Sequence, residues 1–248
     1  MELENVYASK SAKKTYVDGN KFIKVFSKDS KVDVLSQALN HALIEESSIR
    51  IPKMLEVITA DNNLCMITEY IEGKTLEDMM RENPEKEDEY LEMFVDIQMS
   101  IHNNRIPALK KLTDKMAAKI SMSDLDETVK YDLHTRLFSM PKHKKVCHGD
   151  LKPSRIIFAK SGDVYITDWS HVTQGNASAD IARTYLIFYL EGRKELAEKY
   201  INLFCKKSGT TREYVQRWLP IVAASQSVKG NPHERELLLK WVDVVEYE

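Results

Sequence analysis

The period of the hydrophobic pattern changes at Gly73, and that change predicts an α+β chain with strands first and helices after. In "TYVDGNKFIKVF", Asp18-Gly19 stands between two β-prone runs, a pair that suits a tight hairpin turn. "KVDVLSQALNHALIEE" then carries apolar residues at 32, 35, 39 and 43, a helical spacing. "IRIPKMLEVI" reads as a strand with Pro52 at its start, and "NNLCMITEYIEG" as a strand ending at Gly73. Beyond Gly73 the spacing is helical, with an interruption at Pro84 and a cap at Thr75 that has Asp78 three residues on. "DLDETVKYDLHTRLFSM" is a further amphipathic helix, and the chain turns helical again from Ala179. The expected division is a strand-rich lobe over 1–72 and a mainly helical lobe over 73–248.

Composition removes several classes of function. The net charge of −2 does not favour a nucleic-acid binder. Cys65, Cys147 and Cys205 are odd in number and widely spaced, so neither a zinc site nor a disulfide framework is expected. "MELENVYASKSAKK" has no apolar core of the signal-peptide kind, and no apolar run reaches the length of about 18 residues that a membrane helix needs. A cytoplasmic protein with reduced thiols and no membrane partner is the expectation. Oligomeric state is not readable from the chain.

The helical part is broken once, by "VCHGDLKPSRIIFAKSGDVYITDWSH" at 146–171. Two short apolar runs there each lead to an aspartate, Asp150 and Asp168, with the turn "KSGD" between strands, so one catalytic hairpin over 146–170 is expected to bring both carboxylates to a shared site. Carboxylates on loops held by a rigid scaffold suit chemistry better than packing. One could position a nucleophile and the other bind a divalent metal, which is what phosphoryl transfer needs, since positioning and charge neutralisation do most of its work.

The segment resembles the catalytic stretch of the aminoglycoside phosphotransferase and choline kinase family, relatives of the protein kinases. The matching residues are His148-Gly149-Asp150 and Ile166-Thr167-Asp168-Trp169. "KFIKVF" is similar to the family's N-lobe strand with its nucleotide-contacting lysine, "MITEYIEGKTL" to the hinge, and "GNASADIARTYLIF" to the start of the downstream helix. The resemblance implies a two-lobed protein-kinase-like fold with ATP in the cleft beneath the hinge at 69–72. It implies ATP and Mg2+ as cofactors, Asp150 as the base that orients the acceptor hydroxyl, and Asp168 as the metal ligand. Lys24 would hold the α- and β-phosphates, and the backbone of Glu69 and Ile71 would bond the adenine. The implied activity is transfer of the γ-phosphate to a hydroxyl of a small molecule, such as an aminoglycoside, a sugar or an amino alcohol. A protein kinase is a poor reading, because only eleven residues separate Asp168 from Asp180 and no Ala-Pro-Glu follows.

Two departures favour the alternative of a catalytically silent, nucleotide-binding relative. Arg155 fills the family's asparagine slot, and a guanidinium offers only donors, so it cannot coordinate a metal. It is expected to pair with Asp150 or Asp168. The helix after Lys24 offers the neutral Gln37 where kinases place a glutamate, while Glu45 and Glu46 lie near the helix end; the choice stays open. Asp180 reads as a helix cap, His148 as a structural hydrogen-bonder and Trp169 as core. Asp180, Glu191 and Glu248 are acidic residues that a cationic acceptor could meet.

Overall fold

The computed structural model describes residues 6–10, 13–228 and 232–242. In chain order the elements begin β1 (Val6–Lys10), β2 (Lys13–Asp18), β3 (Lys21–Phe26), α1 (Lys31–Glu45), β4 (Met54–Ala60), β5 (Asn63–Glu69), β6 (Gly73–Thr75), α2 (Leu76–Glu82), α3 (Glu87–His102), α4 (Leu112–Ser121) and α5 (Glu127–Ser139). They continue β7 (Lys145–Cys147), β8 (Ile156–Ala159), β9 (Val164–Ile166), β10 (Thr173–Gly175), α6 (Ala177–Leu190), α7 (Lys194–Ser208), α8 (Arg212–Gln216), α9 (Leu219–Ser227) and α10 (Pro232–Val242). By contact these form two compact units. One holds residues 1–87 and 153–171, the other 88–152 and 172–248. The first unit takes in 153–171 because β6 pairs with β8, and β8 with β9.

The first unit is built on an antiparallel sheet in the order β1-β2-β3-β5-β4. The β2–β3 hairpin turns at Gly19, whose φ of 56° is open to glycine without strain. Ile23, Cys65 and Ile67 point to the same face and form its buried centre. Helix α1 forms where its spacing predicts, capped by Ser30, whose side chain accepts from Asp33 N. Its apolar stripe is not the buried one, however. Val32, Leu35 and Leu39 are exposed, and Val34, His41 and Ile44 face inward. A ring nitrogen of buried His41 lies 2.7 Å from Pro52 O, so a polar residue occupies the face that apolar counting would reserve for leucines.

The expected strand ending at Gly73 stops earlier, at Glu69. Gly73 instead opens β6, where an added Cβ would meet Phe158 O at 2.2 Å, so glycine is required by the close approach of β8. Thr75 is the expected cap of α2, and Asp78 returns a bond to the Thr75 backbone to complete a capping box.

In the second unit α6 and α9 are buried almost all round. Rings of Phe94, Phe188 and Tyr200 from α3, α6 and α7 sit 5.5–5.8 Å apart at tilted or edge-on angles. β7 pairs with β10. The strand before Asp150 and the hairpin before Asp168 therefore belong to different sheets, not to one hairpin carrying both aspartates.

Candidate active site

In the first unit, Lys24 and Asp168 come together although 144 residues separate them. Lys24 lies on β3, in register with Thr15 and Met66, and its Nζ stands 3.5 Å from Asp168 Oδ1. Asp168 follows β9 in a left-handed conformation, φ 61°, which is uncommon for a residue with a Cβ but better tolerated by aspartate than by most. The surroundings fix it there. Thr167 N and Oγ1 both donate to Arg155 O, Trp169 Nε1 donates to Ile166 O, and Ser170 Oγ donates to Asp168 Oδ1 at 2.9 Å. Asn40 of α1 reaches Ser170 O.

Arg155 selects between its two expected partners: its Nη1 lies 2.5 Å from Asp168 Oδ2. Asp168 thus has a cation of the chain at each oxygen, and all three side chains are mostly shielded from water. Helix α1 contributes neutral groups to this region. Gln37 Oε1 is buried without a hydrogen-bond partner among the described residues. Burial pushes the His41 imidazole pKa down, and the charge of Lys24 pushes the same way. Glu45 is committed elsewhere, accepting from Met54 N, and Glu46 is exposed.

At the expected hinge, Glu69 N–H donates to Lys53 O at 2.9 Å, and its carboxylate accepts from Lys53 N. The N–H of Ile71, by contrast, has no acceptor among the described residues. A ligand bond at Glu69 would therefore fall on its carbonyl, and one at Ile71 on its amide.

Among the described residues, no three His, Cys, Asp or Glu side chains gather into a group that could hold a metal by themselves. Magnesium commonly takes one or two carboxylates and fills its shell with water and phosphate oxygens. Asp168 could offer such an ion one carboxylate, but both of its oxygens face cations of the chain, so an ion there would have to displace Arg155 or Lys24. A second does not fit, because Arg155 presents only donors.

In the second unit, Asp150 sits on a loop held by its main chain. Asp180 is almost wholly buried, and its Oδ1 accepts from Gly149 N at 2.7 Å. Its Oδ2 accepts from His148 N at 3.2 Å and lies 3.0 Å from His102 Nε2, with Gln98 Nε2 at 3.5 Å. Thr184 Oγ1 donates to Leu151 O, and Asp150 N donates to His148 Nδ1. Gly149 bends the loop with φ 79°. Burial alone would raise the Asp180 pKa, but the hydrogen bond and charge of His102 and the Gly149 amide bring it below the ordinary carboxylate value.

Asp180 is therefore not a helix cap. Asn176 caps α6, its side chain accepting from Ser178 N, while Asp180 reaches back to the loop. Nor can Asp180 meet an acceptor, because its carboxylate is consumed by these donors. Glu191 pairs with Lys152, and Glu248 lies outside the described residues. Trp169 is core, as expected, and His148 is fully buried in a structural role. Sequence reasoning missed Arg183, whose Nη2 donates to Asp150 Oδ1 at 2.7 Å.

A model of the phosphotransferase enzyme family matches residues 5–218. The chain belongs to that family. The phosphotransferase has the protein-kinase-like fold of its solved structural neighbours. A thermostable mutant of aminoglycoside phosphotransferase APH(4)-Ia superposes with a TM-score of 0.72 at 14% identity, covering 96% of this chain and 92% of that one. Choline kinase LicA from Streptococcus pneumoniae gives 0.66 at 14% identity, covering 98% and 93%. A choline/ethanolamine kinase family protein from Mesorhizobium loti gives 0.61 at 13% identity, covering 99% and 89%. Another structure of the APH(4)-Ia mutant is a ternary complex with AMP-PNP and hygromycin B. No curated protein matches the phosphotransferase by sequence. No helix among its described residues is long and apolar enough to cross a membrane.

Proposed function

We propose that the protein is an ATP-dependent small-molecule kinase. The observation that carries the reading is the Lys24–Asp168 pair, an ammonium and a hard oxygen ligand held 3.5 Å apart by a strand and a constrained turn. An ammonium meets phosphate oxygens as a point charge. Lys24 would hold the α- and β-phosphates, the Glu69 carbonyl and the Ile71 amide would bond the adenine, and Asp168 would hold magnesium. A bound magnesium ion supplies neutralisation of phosphate charge. Asp150 would accept the proton of the acceptor hydroxyl as that oxygen bonds to the γ-phosphorus. The bond from that phosphorus to the bridging oxygen of ADP breaks, and ADP leaves with the electron pair. The loop amides held by Asp180 fix Asp150 for this task without touching reactants. The reading places the enzyme in the cytoplasm, with a hydroxylated small molecule as its partner.

ATP with magnesium at about 100-fold above its Kd is expected to stabilise the fold by about 2.7 kcal/mol, a rise of about 5–10 °C in Tm for a chain of this length. Lys24→Met should remove most of that rise, read by thermal denaturation. An unshifted wild-type Tm at millimolar ATP would reject nucleotide binding altogether.

The short Arg155–Asp168 contact favours a second reading, a nucleotide-binding relative with little or no transfer activity. Arg155→Asn separates the two. If Arg155 holds the metal ligand shut, the variant gains magnesium-dependent ATP turnover that the wild type lacks. If the wild type already turns over, Arg155 is compatible with chemistry and its loss should weaken ATP binding.

A further inference from the structure

We propose that the protein binds nucleotide phosphates without a divalent ion, the guanidinium of Arg155 taking the ion's place beside Lys24. The inference rests on the nucleotide-binding reading, which the active and the silent alternative share, and it confines any need for magnesium to the transfer step.

The arrangement lies wholly in the first unit and stands on contacts between side chains. Arg155 Nη1 is 2.5 Å from Asp168 Oδ2, a tight charge-assisted contact. On the other side of the carboxylate, Oδ1 accepts from Ser170 Oγ at 2.9 Å and faces Lys24 Nζ at 3.5 Å. Arg155 closes the short turn Pro153–Arg155 just ahead of β8, and Asp168 follows β9, so one strand pair presents both. Its main chain is pinned there, because Thr167 N and Oγ1 both donate to Arg155 O. Two cations against one carboxylate leave the trio with one net positive charge. None of the three is sealed off: 26% of the Arg155 side chain is open to water, with 18% of Lys24 and 20% of Asp168.

Charge and spacing favour phosphate over metal at this point. Magnesium demands oxygen ligands at about 2.0–2.1 Å in near-ideal octahedral geometry. The guanidinium already occupies the approach to Asp168 Oδ2, and an incoming ion would have to break that contact and then stand beside two like charges. A phosphate oxygen meets the opposite situation. Lys24 sits beyond the distance of about 2.7–2.9 Å usual for a charge-assisted bond, so it can lean towards a phosphate at little cost. A guanidinium has five donors in a fork that fits phosphate oxygens, and the two oxygens of one carboxylate do not exhaust it. Arg155 would then supply the neutralisation of phosphate charge that an ion gives elsewhere, with Asp168 as its anchor.

The test is calorimetry on the full chain with ATP, ADP and adenosine, once in EDTA and once in excess magnesium chloride. The wild type should bind ATP no more weakly in EDTA than in magnesium. Arg155→Asn should weaken ATP and ADP binding in EDTA by about 10–100-fold, the loss of a hydrogen bond between charged groups, and magnesium should restore part of it once Asp168 is uncovered. Adenosine, which has no phosphate, separates a phosphate contact from a structural role, because a merely structural arginine would weaken all three ligands alike. Circular dichroism checks folding, and if Arg155→Asn does not fold, the wild-type comparison decides alone. ATP bound by the wild type only when magnesium is present overturns the inference and leaves the nucleotide-binding reading in place. So does an Arg155→Asn variant that binds ATP in EDTA as tightly as the wild type. ATP bound under neither condition removes the nucleotide-binding reading and this inference with it.

Discussion

Replacing Asp150 by asparagine is expected to slow acceptor phosphorylation by about 10²–10⁴-fold, the usual worth of a positioned general base. The side chain keeps its size and an acceptor oxygen, so the loop has no steric reason to move. The main-chain bonds from His148 and Gly149 to Asp180 do not involve the substituted group. The Arg183 guanidinium loses a charged partner at a mostly buried position, a local cost in stability. The ATP-induced rise in Tm should survive, because Lys24 and Asp168 carry it. Single-turnover transfer from labelled ATP, measured beside the thermal shift, checks both halves. An Asp150→Asn enzyme with undiminished turnover would take Asp150 out of the chemistry.

Asp180→Ala is expected to be the most damaging substitution for stability, costing about 3–5 kcal/mol as the loss of one partner from a buried, hydrogen-bonded charge pair. It would leave the amides of His148 and Gly149 and the side chains of His102 and Gln98 without the acceptor they share. Urea denaturation reads the loss. Acid should expose the same interaction in the wild type. The folded pKa of Asp180 is depressed, so its contribution is complete above the unfolded carboxylate value of about 3.9 and disappears as pH falls through the lower folded value. The variant should lack that part of the acid dependence. A variant as stable as wild type near neutral pH would mean that water replaces the carboxylate at no cost.

What could be read before the structure was local. The Asp18-Gly19 turn, the Thr75–Asp78 box and the strand ahead of Asp168 depend on neighbours a few residues away, and the structure forms them. The family resemblance pointed to Lys24 and Asp168 through short motifs, and these two do meet. Asp180 was misread because its partners lie 31, 32 and 78 residues back along the chain, while a cap is judged from the next three residues. Gly73 was read as the end of β5, when its function is to let β8 approach from more than 80 residues away. The outward turn of Val32, Leu35 and Leu39 has the same origin. Helical period reveals that a stripe exists, but only the neighbouring sheet and the turn at 169–171 decide which stripe is covered.

Because Asp180 grips peptide amides, it is indifferent to which side chains that loop displays. That loop can hold its shape while the side chains it presents change. A substitution there could therefore abolish any transfer and leave folding and melting unchanged, so stability measurements alone would not tell a working copy from a silent one.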